Sequence, residues 1–242
     1  MGFSYKDWLG NFYPQFCPEA DFLTYYASQF KAVEIDSTFY RIPGEKTVDK
    51  WRRSTPDDFV IAAKFPQSVT HEGTIETRLQ DARQFCDVMR LLGPKLGPLL
   101  LQFPYSFKPD QWDLLAEIVE AMPRDLRIAV ELRNKQWLDE RLYELLRAHK
   151  IALCLLDHPW VPRLSVKTAD FQYIRLLGDR KQIECDFSYV RFDREEELKW
   201  WRQVISDFAA AGGDLFVFLN NHYSGHSPTT ARRLIELLSA EA

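Results

Sequence analysis

Seven short apolar runs recur along the chain, and each delivers a polar side chain near its C-terminal end. They are AVEIDSTF from Ala32, FVIAAKF from Phe59, LGPLLLQF from Leu96, RIAVELR from Arg127, IALCLLD from Ile151, FQYIRLLG from Phe171 and DLFVFLNN from Asp214. Their length and aliphatic make-up predict strands, and their apolar N-terminal halves predict cover on both faces. Between most of them a helical rhythm takes over. Phe22, Tyr26, Gln29 and Phe30 mark the first helix; Leu79, Ala82, Cys86 and Met89 mark a longer one that stops at Gly93-Pro94. Trp112, Leu115, Val119 and Met122 follow Pro109, and Leu142, Leu145 and Leu146 follow an Asp139 cap. Asp193 with Glu196 resembles a capping box ahead of Leu198, Trp201, Ile205 and Phe208, and Ser227-Pro228 opens a last helix with Ala231, Leu234 and Leu238.

Strands alternating with helices predict a parallel sheet in an α/β fold. The 242 residues approach the roughly 250 of a TIM-type (β/α) barrel, and no linker or low-complexity stretch divides them. We therefore expect one domain over residues 1–242. Only Met1-Gly-Phe-Ser-Tyr5 precedes the first helix, so the first strand of an eightfold barrel is expected to be truncated or vestigial.

The polar strand ends are Glu34 and Asp36, Lys64, Gln102, Glu131 and Arg133, Asp157, Arg175, and Asn220 with Asn221. Strand alternation puts Glu34 with Asp36, and Glu131 with Arg133, on a common face. A barrel with its site on the C-terminal face produces this asymmetry. Glu131 and Glu34 are candidate bases and Lys64 a candidate acid or electrostatic stabiliser, because carboxylates and lysines crowded in low dielectric acquire shifted pKa values. Arg133, Arg175, His71, Gln102, Asp157, Asn220 and Asn221 are candidate binding groups. Tyr40 and Trp137, in loops after strands, are candidates for stacking. This set predicts acid–base chemistry on a small anionic substrate, phosphorylated or nucleotide-like, by a hydrolase or lyase. The same charges also read as a mutually neutralising network that fixes strand register.

Composition narrows the alternatives. The formal charge of −4 gives no bulk basic field for nucleic acid, which is not favoured as a partner. Glu34, His71, Glu131, Asp157, His222 and His226 offer metal-type ligands, but Lys64 and Arg175 would repel a cation, so neither a metal nor another cofactor is expected. A metal-dependent phosphodiesterase and a non-catalytic binding module are the alternative functions. Cys17, Cys86, Cys154 and Cys185 are widely spaced, and no run is long enough to span a bilayer. The expectation is a reduced cytoplasmic protein without membrane attachment.

SYKDWLGNFYP (from Ser4), VEIDSTFYRIP (from Val33), KFPQSVTH (from Lys64), GPLLLQFP (from Gly97), AVELRNKQW (from Ala129), TADFQYIRLLG (from Thr168) and FLNNHYSGHSP (from Phe218) resemble successive blocks of the YecE-like family of uncharacterised proteins. The resemblance runs over nearly the whole chain in order. It implies a TIM-type barrel, distantly similar to the endonuclease IV and xylose isomerase type, and implies no activity. Members usually begin with an IGTSGWSY-like strand, where this chain has MGFSY.

Overall fold

In the computed structural model, which describes residues 1–240, the apolar runs become seven parallel strands paired in sequence order. They are β1 (Ala32–Ile35), β2 (Val60–Lys64), β3 (Leu96–Gln102), β4 (Ile128–Glu131), β5 (Ala152–Asp157), β6 (Gln172–Leu176) and β7 (Leu215–Leu219). The helices are α1 (Phe22–Gln29), α2 (Glu45–Arg53), α3 (Gln67–Thr70), α4 (Ile75–Met89), α5 (Trp112–Glu120), α6 (Glu140–Ala148), α7 (Glu195–Ala210), α8 (Asn221–Ser224) and α9 (Ser227–Ser239). The result is a nearly closed (β/α) barrel.

Two separate cores follow from strand alternation. Val33, Ile35, Ile61, Leu99, Leu101, Ile128, Val130, Leu153, Leu155, Ile174 and Leu176 face outward into the helix layer. The lumen is filled by Ala62, Leu100, Ala129, Ala152, Cys154, Leu156, Tyr173, Phe216 and Phe218. Three alanines on one side make room for three aromatic rings from β6 and β7, so the interior is solid rather than a pore.

No ladder joins β7 to β1. Instead the Met1 ammonium donates to the Leu219 carbonyl at 2.6 Å, and Gly2 N–H donates to the Glu34 carbonyl at 2.8 Å. These two residues thus bridge both edges at the C-terminal end of the seam, in the place of the expected vestigial strand. Deeper along the seam, an apolar cavity of about 300 Å³ opens between β7, α9 and α1.

Some local expectations shift. Asp139 caps α6 by accepting from Leu142 N–H at 3.0 Å, as its position predicts. The Asp193/Glu196 box does not form: α7 begins at Glu195, and Asp193 instead accepts from Glu195 N–H at 2.9 Å. His226, not Ser227, caps α9, its Nδ1 accepting from Thr229 N–H at 3.3 Å. Helix α2 has no counterpart in the sequence reading, because it buries only Val48 and Trp51 and is otherwise polar. Between β5 and β6 an irregular strap replaces a helix. Thr168 pins it, donating to Ile151 O and accepting from Leu153 N–H, both at 2.7 Å.

Candidate functional site

Glu34 on β1, Lys64 on β2, Glu131 on β4 and Arg175 on β6 all occupy lumen positions at the C-terminal end of the barrel. Each lies an even number of residues from a lumen-facing small or aromatic side chain of its own strand or its register partner: Glu34 pairs with Ala62, and Arg175 with Leu156 and Phe218. Arg175 is the hub. Its Nη1 donates to Glu131 Oε2, and its Nη2 donates to Glu34 Oε1 at 2.8 Å. Tyr173, two residues earlier on the same face, donates its hydroxyl to Glu34 Oε2 at 2.6 Å. Arg133 Nε donates to the other Glu131 oxygen at 2.7 Å. Both carboxylates are completely buried. Their occupied oxygens explain how such burial is tolerated.

The electrostatics follow from the packing. Burial alone would raise the Glu131 carboxyl, but the Arg175 and Arg133 guanidiniums outweigh it and hold the group down at about 2. Lys64 is drawn the other way. Burial, reinforced by Arg175, lowers its ammonium to about 8, against weaker support from Glu131. Among the described residues it makes no ion pair and donates no hydrogen bond; its Nζ sits 3.6 Å from the centre of the Phe39 ring. That ring is delivered by a 3-10 turn over Ser37–Phe39, tied to the end of β2 by Thr38, whose hydroxyl donates to the Lys64 carbonyl at 2.6 Å. His71 stands against the opposite edge of this region, its ring 5.0 Å from Phe39 and its Nδ1 2.8 Å from the Thr70 hydroxyl. Burial, then Lys64 and Arg133, push His71 down to about 4, so the imidazole is neutral at pH 7.

The remaining candidates divide. Gln102 is buried beside Glu131 in register, its amide donating to Phe103 O at 2.6 Å. Tyr40 is exposed at the rim. Trp137 is packed in the outer core against Phe107, with Nε1 donating to Phe107 O at 2.9 Å, and presents no face to the lumen. Asp157 has the wrong parity for the lumen. It points outward, accepting from Trp201 Nε1 at 2.7 Å and from the Tyr223 hydroxyl at 3.0 Å, with Arg163 at 3.2 Å. There it lines a separate cavity of about 270 Å³, with Arg163, Gly178, Asp179 and Arg194. Gly178 permits this arrangement: its φ is +67°, and a Cβ there would meet the His222 carbonyl oxygen at 2.3 Å. Asn220 and Asn221 organise the turn after β7, accepting from His222 N–H at 3.1 Å and Ser227 N–H at 3.0 Å. His226, spent on the α9 cap, and His222, which contacts Ile183 O at 2.6 Å, are likewise engaged locally.

Sequence reasoning missed Tyr173 and Phe39. Tyr173 was signalled by its two-residue spacing from Arg175; Phe39 carried no local signal, since the Thr38 bond that ties its turn to Lys64 spans 26 residues.

Comparison with known proteins agrees with the architecture. The chain is 26% identical over 243 residues to UPF0759 protein YunF of Bacillus subtilis (strain 168), covering 89% of this chain and 86% of that one. It is 28% identical over 178 residues to UPF0759 protein YecE of Escherichia coli (strain K12), covering 63% of this chain and 65% of that one. A crystal structure of a DUF72 family protein from Thermotoga maritima MSB8 superposes with a TM-score of 0.84 at 30% identity, covering 98% of this chain and 96% of that one. The family model described as "Protein of unknown function DUF72" matches residues 1–242, and the chain belongs to that family.

Proposed function

We propose that the C-terminal end of the barrel binds a small anionic substrate and performs acid–base chemistry on it through Lys64. One observation carries this reading: the C-terminal end of the lumen sets three side-chain cations, buried Lys64 and Arg175 and half-buried Arg133, against two buried carboxylates, Glu34 and Glu131. Arg175 is consumed by both carboxylates, and Arg133 commits one edge to Glu131. Among the described residues the Lys64 ammonium and the other edge of Arg133 carry positive charge with no ion pair or hydrogen bond, an arrangement that a phosphate or carboxylate would complete.

The acid–base roles follow from basicity. The Glu131 carboxylate, held at about 2 and paired on both oxygens, is a poor proton acceptor; Glu131 and Glu34, each bound to Arg175, serve to hold that guanidinium and shape the field. Lys64, at about 8, exchanges its proton near neutral pH, as a general acid or base must. His71, neutral and at the margin, supplies a hydrogen-bonding imidazole.

Titration calorimetry with sulfate and pyrophosphate tests the reading. Wild-type protein is expected to bind, Lys64→Met and Arg133→Met to bind much more weakly, and Asp157→Asn, outside the lumen, to bind normally. Equal anion affinity in all four proteins would refute it.

A further inference from the structure

We propose that Lys64 is a covalent catalyst: its amine forms an imine with a small aldehyde or ketone that carries a carboxylate or phosphate. This deepens the reading above and rests on it for the anionic half of the ligand. The geometry is specific to Lys64. Among the described residues no carboxylate forms an ion pair or hydrogen bond with it, and the Phe39 π face, 3.6 Å from Nζ, gives its ammonium a cation–π contact instead. Burial first, then the Arg175 and Arg133 guanidiniums, disfavour its charge and outweigh the opposing pull of Glu131 and Glu34. A lysine that is desolvated and set beside other cations is the form of this side chain that attacks carbonyls. Lys64 nevertheless keeps 9% of its surface open, and the neighbouring rim of His71, Tyr40 and Arg133 is only partly buried or exposed. On this proposal the edge of Arg133 not bound to Glu131 takes the anionic group while the carbonyl carbon meets Nζ.

The chemistry balances without a co-reactant. Lys64 ammonium loses a proton to solvent and the amine adds to the carbonyl carbon, forming the C–N bond as the C=O π bond breaks. The oxygen takes up a proton, the nitrogen gives one up, and the hydroxyl leaves as water after a second protonation. Ammonium plus carbonyl compound therefore gives a protonated imine plus one water, with no change in oxidation state.

At pH 8 an amine whose pKa is about 8 is half neutral, roughly a hundredfold more free amine than an ordinary lysine has. Incubation with glyoxylate or with glycolaldehyde phosphate, then sodium borohydride, reduces any imine to a stable secondary amine that peptide mass spectrometry locates. The expected result is saturable labelling at Lys64 by one of the two probes, suppressed by sulfate and far ahead of exposed lysines such as Lys31. Which probe reacts distinguishes a carboxylate from a phosphate ligand, and Lys64→Arg is expected to lose the label while retaining sulfate binding. Labelling confined to exposed lysines overturns the proposal. If sulfate still binds in that case, only the imine fails; if sulfate binding is also absent, the anion reading falls with it. Equal labelling of Lys64 by neutral glycolaldehyde overturns the anionic substrate class.

Discussion

Arg175→Met removes the one group that neutralises both Glu34 and Glu131. In the wild-type protein, Glu131 falls from its ordinary 4.5 to about 2; at about 1.4 kcal/mol per unit, that is on the order of 3 kcal/mol of stability. Because the folded value is the depressed one, this contribution is present above about 4.5 and is lost as pH falls toward 2. Removing the guanidinium leaves two fully buried carboxylates, and stripping one partner from a buried ion pair costs about 3–5 kcal/mol. Glu131 then keeps only Arg133, and burial pulls its carboxyl up from the wild-type value. The variant's folded state then gains a proton more readily than the wild-type folded state, so the stability gap between them should narrow as pH falls from 7 to 4.5. Urea unfolding at both pH values measures this. We expect a loss of about 3–5 kcal/mol at pH 7, a smaller loss at pH 4.5, and partial recovery at pH 7 when Glu131→Gln is added. A loss below about 1 kcal/mol, identical at the two pH values, would refute the view that Arg175 is the electrostatic hub.

Two further predictions follow from the same geometry. Lys64 is lowered to about 8 from its ordinary 10.5, so the unfolded chain binds its proton more readily between those values and wild-type stability should rise across that window. Lys64→Met should abolish that rise and be more stable at pH 7 by up to about 3 kcal/mol; chemical denaturation at pH 7 and 10 reads both, and a less stable variant at pH 7 would contradict the assignment. Asp157→Ala strands the Trp201 indole N–H and the Tyr223 hydroxyl, each without its acceptor, and should cost about 2–4 kcal/mol, visible in thermal unfolding, with anion binding at the lumen unchanged.

The barrel was legible because its rule is periodic. Seven apolar runs ending in polarity give the strands; parity pairs Glu131 with Arg133 on one face, and the shared late-strand polarity is what points to a common pocket for Glu34, Lys64, Glu131 and Arg175. The same parity turns Asp157 outward, since Cys154 and Leu156 already face the lumen; treating every strand-end polar residue as part of one pocket overlooked this. Other positions depend on contacts distant in sequence. Trp137 belongs to the outer core because Phe107, thirty residues earlier, accepts its N–H. Helix α2 escaped notice because two buried side chains carry too little periodic signal.

Arg175 reaches from β6 to carboxylates on β1 and β4, and below it the aromatic rings fill the bore. The bore is consequently closed beneath Arg175, so under the proposed function a ligand reaches Lys64 from the C-terminal rim and leaves the same way. If the proposed chemistry takes place there, a spent molecule under the rim obstructs its successor, and inhibition by product is expected to be competitive with substrate.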